Sequence, residues 1–439
     1  MSLRLPNMIS WIFYVDLILF NFIGSLLVIY KIDNHYALGN LSDHARIMGF
    51  FSIMYVMIVL PLGMIMTNSI FGYKHTSFLL LNYIDKKISN KNNTNNLVKW
   101  FLLFLSVISI LSVIYVFKVI GSISLFHLFE DSRSDLLVLR ISSNREFSGN
   151  EYIKNILALA LTPFLSYVAY CYKLLNNKSF NKIWFYTLFC FSILIVTYNI
   201  EKTPVLFYLL GFLFIRIYIK GRLPVKYIIF TILALLFGLI AMYYLTSDKT
   251  GLDSEILFKT ILNRLILSQS AGVYLSFDIF PEIHSFLGLS SLSQKVSAIL
   301  DIEYIEKSSR IIMEYINPEG IIRGQAGTAN SLFISEAWSN FGFLGLLISP
   351  IYVGIIIQCL YLFLLRIPKN PYWIALMSLY SMKSALTTGA FNYYIYNVTF
   401  IVFILISLIV CLIPFFYNKI SENEHRNYFK LKNRQNTLC

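Results

Sequence analysis

Charge is what this chain has little of. Only 13% of its 439 residues are Asp, Glu, Lys or Arg, and 57% are hydrophobic. Soluble domains carry about 25% charged residues, so no solvated surface matches the size of this chain, and a soluble globular protein is excluded. Cysteine is scarce as well. Cys171, Cys190, Cys359 and Cys411 fall in apolar runs and Cys439 is the last residue, which excludes a disulfide framework. No Cys-x-x-Cys, His-Glu-x-x-His, P-loop or Asp-x-Asp occurs, so no metal and no cofactor is expected. Internal repeats are absent. No small-residue cleavage site follows the first apolar run, which is therefore expected to stay as an uncleaved span.

What the chain does have is long apolar runs, many near the roughly 20 residues that cross a bilayer core as a helix. About ten spans are expected on length and apolarity. They cover 11–30, 47–66, 98–118, 153–173, 183–199, 205–219, 227–246, 341–364, 371–390 and 397–417. The expected fold is all-α: a multi-pass transmembrane helical bundle of about ten spans with a long, partly helical outer loop. The divisions are an N-terminal bundle at 1–246 with about seven spans, the loop at 247–332, and a C-terminal bundle with a basic tail at 333–439. Residues 183–219 read either as two full spans or as a hairpin that dips in and returns.

The formal net charge of +13 invites a nucleic-acid reading, but its distribution excludes it. With the N-terminus inside, the inner segments hold about 20 cations, from Arg4 and Lys74 to Lys432 and Arg434. Against them stand only Asp85, Glu422 and Glu424. This asymmetry is the positive-inside pattern, and it places both termini in the cytoplasm and the long loop outside.

A polar interruption this long is far above ordinary connection length and is expected to carry function. Within it, 255–271 reads as an amphipathic helix: Phe258, Ile261, Leu262, Leu265 and Ile266 share one face, and Lys259, Thr260, Asn263, Arg264, Ser268 and Ser270 the other. Such a helix suits the outer interface, polar face toward solvent or a lipid headgroup. The outer segments are rich in Arg, whose planar fork pairs with phosphate oxygens. Arg133, flanked by Asp131 and Asp135, and Arg310, near Glu303, Glu306 and Glu314, are also explained by local charge balance. Arg140 lies in the same outer segment as Arg133. Arg264 and Arg323 have the fewest close acidic neighbours and are the favoured anion ligands. Lys202, in the turn Glu201-Lys202-Thr203-Pro204, is an anion ligand or a snorkelling lysine. Glu336, where the loop enters the eighth span, is a general base, an orienter of hydroxyls or a helix-start carboxylate. Lys383 and Asp16 are expected inside spans, and His127 and His284 are lone outer histidines.

The stretch Asn330-Ser331, then Ser335-Glu336-Ala337-Trp338-Ser339-Asn340-Phe341-Gly342-Phe343-Leu344-Gly345, resembles the end of the outer loop in O-antigen polymerases of the Wzy type. The layout of spans, late outer loop and Lys-Thr-Pro turn is similar too. The resemblance covers most of the chain in layout and only these stretches in residues. Related O-antigen ligases place a His directly before the Asn, where this chain has Ala329. The resemblance implies a fold like that of C-type glycosyltransferases, and glycosyl transfer at the periplasmic face of the bacterial inner membrane. The substrates would be polyprenyl-diphosphate-linked oligosaccharides, with membrane lipid and a chain-length regulator as partners and no nucleic acid. It implies Glu336 as the catalytic carboxylate and Arg264, Arg323, Arg133, Arg140, Lys202 and Asn330 as substrate ligands. The alternatives are a ligase and, from another class, a transporter or flippase of lipid-linked oligosaccharide.

The charge pattern yields a topology test. Reporter fusions after Lys226 and after Ser290 are expected to read cytoplasm and periplasm respectively. A cytoplasmic signal at Ser290 would remove the outer-face reading altogether.

Overall fold

The computed structural model describes residues 3, 5–32, 35, 37–73, 76–88, 92–122, 147–199, 201–221, 233, 263–324, 326–382, 386–387 and 397–436, with the backbone alone at 92–95, 202–203, 264–265, 295 and 418–436. Every regular element among them is a helix. In chain order they are α1 (Met8–Ile29), α2 (Asp43–Ile70), α3 (Thr76–Asp85), α4 (Asn92–Ile120), α5 (Ile153–Leu175), α6 (Ser179–Val196), α7 (Lys202–Lys220), α8 (263–279), α9 (Gln294–Ile299), α10 (Ser308–Ile316), α11 (Pro318–Ile322), α12 (Phe333–Arg366), α13 (Pro371–Ser381) and α14 (Val398–Asn436). Seven of these, α1, α2, α4, α5, α6, α12 and α14, include a stretch long and apolar enough to cross a membrane. They coincide with seven of the ten expected spans. The sixth expected span appears as the 19-residue α7, and the ninth as the 11-residue α13. The seventh, 227–246, lies outside the described residues apart from residue 233.

Two compact units form. One gathers Lys87–Ser122, Phe147–Ile195 and Asn397–Cys439. Inside it the Trp184 indole donates to Ser106 Oγ at 3.1 Å, and Phe164 stacks edge-on against Phe403 at 4.9 Å. Lys154, buried beside the Phe147 ring, is balanced by Glu151 at 2.8 Å.

The other unit gathers Met1–Lys86 with Val196–Tyr396. Its spine is the pair α2 and α12, which run parallel. Tyr55 donates to the Leu347 carbonyl at 3.0 Å, and further along both helices in the same direction Gln358 donates to Asn68 at 2.7 Å. Between them the backbones touch. A Cβ on Gly63 would stand 2.7 Å from the Ile351 carbonyl oxygen, and one on Gly354 2.4 Å from that of Leu60. Small residues let helices approach this closely where no hydrophobic effect drives them together. Buried Arg46 spans the end of α1, donating to the Val28 carbonyl at 2.7 Å and the Leu38 carbonyl at 3.2 Å. Ser42 caps α2 and is itself held by Asp278, at the end of α8.

The long polar stretch does not stay outside this unit. Its segment α8 opens with a wide π-helical turn at Asn263–Leu267 and continues as an α-helix over Ser268–Ile279. It packs against α1, α2 and α12. The Tyr274 hydroxyl bonds Ser25, and its ring fills the space a side chain on Gly49 would need. The surface helix expected at 255–271 is corrected over its described part. Ser270, assigned to the solvent face, is fully buried and donates to the Leu267 carbonyl. Residues 255–262 lie outside the described residues.

Helix α12 is two helices joined at Gly342, whose φ of 57° and ψ of −137° leave the helical region. The first leg, 333–341, precedes the bend, and the second, 343–366, follows it. A Cβ on Gly345 would lie 1.9 Å from the Ala337 carbonyl oxygen. Eight residues of straight helix separate two positions by about 12 Å, so the chain doubles back sharply at Gly342. The second leg is the span expected at 341–364.

Gly345→Val and Gly354→Val are therefore expected to destabilise the protein severely, by at least the 1–3 kcal/mol typical of overpacking. Gly39→Ala, with nothing within 4 Å of the new Cβ, serves as the control. Fluorescence-detected size-exclusion chromatography after heating checks this: the two core variants lose their monodisperse peak at lower temperature, and the control does not.

Candidate functional site

The residues that carried the resemblance meet at the bend of α12, and most of them hold backbone. Ser335 Oγ donates to the Gly272 carbonyl at 2.9 Å, and Gly272 N–H donates to the Asn330 carbonyl at 3.2 Å. The Trp338 indole donates to the Phe280 carbonyl at 3.1 Å, its ring packed against Phe277, Phe286 and Phe343. A bend interrupts the helical ladder and leaves carbonyls without helical partners. Here the Leu287 and Gly288 N–H groups meet the carbonyls of Ser339 and Asn340, at 3.0 and 2.9 Å. Ser291 Oγ adds a bond to Asn340 Oδ1 at 2.8 Å. The motif thus docks residues 272–291 onto the first leg.

Glu336 stands on that leg and is only 5% exposed. It lies in the first turn, where the helix dipole favours a carboxylate by about 0.3–1 kcal/mol at an exposed site. Burying a carboxylate costs several kcal/mol, so the dipole alone does not account for its position. The start of the leg is anchored from below. Phe333 N–H donates to the Thr387 carbonyl at 2.9 Å, and Thr387 Oγ1 donates to Asp16 Oδ2 at 2.6 Å. Asp16 is fully buried in α1, whose residues Ile12–Phe22 are π-helical. Single π-turns inside α-helices recur at functional sites. The π-turn of α8, which contains Arg264, packs against that same segment. The backbone therefore brings Arg264, Asp16 and Glu336 to one region of the unit.

The other expected ligands are not gathered there. Arg323, favoured for having the fewest close acidic neighbours, is exposed and paired with Glu319 at 3.3 Å, one helical turn before it. Exposed pairs of this kind contribute about 0–1 kcal/mol. Arg310 pairs with Glu314 at 3.2 Å and reaches the Ala326 and Gly327 carbonyls, a loop-holding role. The Asn330 side chain is exposed, and its carbonyl does the work described above. Lys202 opens α7, described there by its backbone. His284 is exposed, packed beside Phe280. Arg133, Arg140, His127 and Lys383 lie outside the described residues. Among the described residues, no three His, Cys, Asp or Glu side chains come together.

No protein-family model, curated protein or solved structure matches this chain.

The docking role of the motif has a direct test. Trp338→Phe removes the donor to Phe280 and keeps the ring, and Asn340→Ala removes the acceptor of Ser291. Each is expected to cost about 1–2 kcal/mol locally. Limited trypsin digestion is then expected to cut at Lys295 several-fold faster than in the parent. Unchanged cleavage would show that these bonds do not hold the segment.

Proposed function

We propose that the chain is a membrane glycosyltransferase of the O-antigen polymerase kind. It would join lipid-linked oligosaccharide repeat units at the outer face of the bacterial inner membrane. The observation that carries this reading is Glu336, a carboxylate buried on a short helical leg where the outer stretch folds back among the spans. Such a group suits the deprotonation of an acceptor hydroxyl, a step worth about 10²–10⁴-fold in rate. The leaving group would be a polyprenyl diphosphate, so negative charge grows as the anomeric bond breaks. A cation fixed in a site of low dielectric stabilises that charge best. Arg264 is the favoured candidate, because its turn packs beside the segment holding Asp16. Arg323, exposed and already paired, takes a lesser part.

Asp16 favours a second reading. A carboxylate buried in a span is a common feature of transporters. Export of a lipid-linked saccharide would use the same membrane face and the same class of substrate.

Deletion separates the readings. Loss of a polymerase is expected to leave lipopolysaccharide capped by a single repeat unit, loss of a ligase to leave no repeats on the lipid core, and loss of a flippase to trap repeat units on the cytoplasmic side. Glu336→Gln, measured beside membrane abundance, is expected to abolish the ladder at normal expression. Arg264→Lys keeps the charge, loses the fork and is expected to shorten the ladder strongly. Arg323→Lys is expected to leave it near normal. A normal ladder in both Glu336→Gln and Arg264→Lys would overturn the assignment.

A further inference from the structure

The floor beneath the Glu336 leg contains an imbalance of acceptors over donors. Asp16 and Asn21 are both fully buried in α1. They stand five residues apart, which in the π-helical register places them one turn apart on the same face. Asn21 Nδ2 donates to the Asp16 carbonyl at 2.7 Å. That bond fixes which end of the amide is nitrogen and leaves Oδ1 as an acceptor. Thr387 spends its hydroxyl proton on Asp16 Oδ2. Two oxygens then remain, Asp16 Oδ1 and Asn21 Oδ1, against one donor on the same helix, Trp11 Nε1, and none of the three has a hydrogen-bond partner among the described residues. An unmet buried polar group is costly, and an unbalanced buried charge far more so.

Of the charged groups on neighbouring elements, Asp43, Arg46 and Asp278 are engaged elsewhere. The elements packed against 12–22 include α2 and α8. At the start of α2, Asp43 pairs with Lys31, Arg46 holds the Val28 carbonyl, and His44 lies between them in sequence. At the end of α8, Asp278 holds Ser42. Val28 is twelve residues along α1 from Asp16, about 18 Å away. Arg264 is the charged residue of the turn that packs on this segment.

We propose that Asp16 and Asn21 form a binding site for a monovalent cation, taken up as a hydrogen ion or as sodium. Either neutralises the carboxylate and is shared with the amide oxygen. Because Thr387 also receives the first N–H of the Glu336 leg, the site sits in the anchor of that leg. The assignment does not depend on the glycosyl-transfer reading.

The test is infrared difference spectroscopy on the full chain in phosphatidylcholine vesicles, at neutral pH in potassium buffer with and without sodium. For a hydrogen ion, the expected result is a protonated-carboxyl C=O band. It is lost in Asp16→Asn and shifted to higher frequency in Asn21→Ala and Thr387→Val, which weaken its hydrogen bonds. For sodium, the expected result is a carboxylate band that shifts on adding sodium, with a rise in thermal midpoint of several degrees that Asn21→Ala reduces. The two Asn21 and Thr387 readouts stand even where Asp16→Asn does not fold. An ionised Asp16 whose spectrum and thermal midpoint ignore sodium would overturn the proposal. In that case, a spectral change in Arg264→Gln would identify the arginine as its counter-charge, and no change would leave solvating water.

Discussion

Two backbone hydrogen bonds, from Leu287 and Gly288 to the carbonyls of Ser339 and Asn340, meet the constraint on which the larger unit depends. A membrane protein cannot leave peptide groups unmet in hydrocarbon. The bend at Gly342 breaks the helical ladder, and a bend inside a bundle is tolerable only where another segment supplies the missing partners. The polar stretch supplies them here. Its composition, rich in Ser and with Gly at 272 and 288, lets its backbone approach the first leg of α12 closely enough to do so. The same stretch then satisfies Trp338 and Ser335 by offering its own carbonyls.

This arrangement explains why a buried carboxylate can be tolerated at Glu336. The leg that carries it is short and pinned at both ends: Phe333 to Thr387 at the start, Ser339 and Asn340 to the 287–291 turn at the finish. A group on such a leg has little freedom to move away from its surroundings. Preorganisation of this kind is what makes a fixed charge effective in a site of low dielectric. In contrast, Arg323 and Arg310 sit on α11 and α10, where carboxylates one turn away already occupy them.

Much of the framework was legible in the sequence, because a membrane span is a composition signal about 20 residues long and needs no partner to be recognised. The stretch 335–345 was also legible as special, since polar residues run there straight into an apolar helix. Its docking role was not, because bonds to carbonyls leave no trace in the identity of the partner. The described part of 255–271 was misread for a related reason. Ser270 looks like a surface residue, yet it is buried where the helix packs closely on α1 and α2. The Arg323–Glu319 pair was readable from its i,i+4 spacing and was overlooked. The Asp16–Thr387 bond was not readable at all, since its partners lie 371 positions apart.

The position of α8 also bears on how the protein is made. Its α-helical part is 12 residues long, about 18 Å, too short and too polar to enter a bilayer as an autonomous span. Its partners at Ser335 and beyond are synthesised more than 50 residues later. It therefore emerges from the ribosome when α1 and α2 are already made and the α12 part of the surface that receives it is not. Its contacts with α1 and α2 can form at once, and those with α12 must wait. The packing of this unit is therefore complete only once α12 has been made, and α8 closes it by joining the first helices of the chain to one of the last.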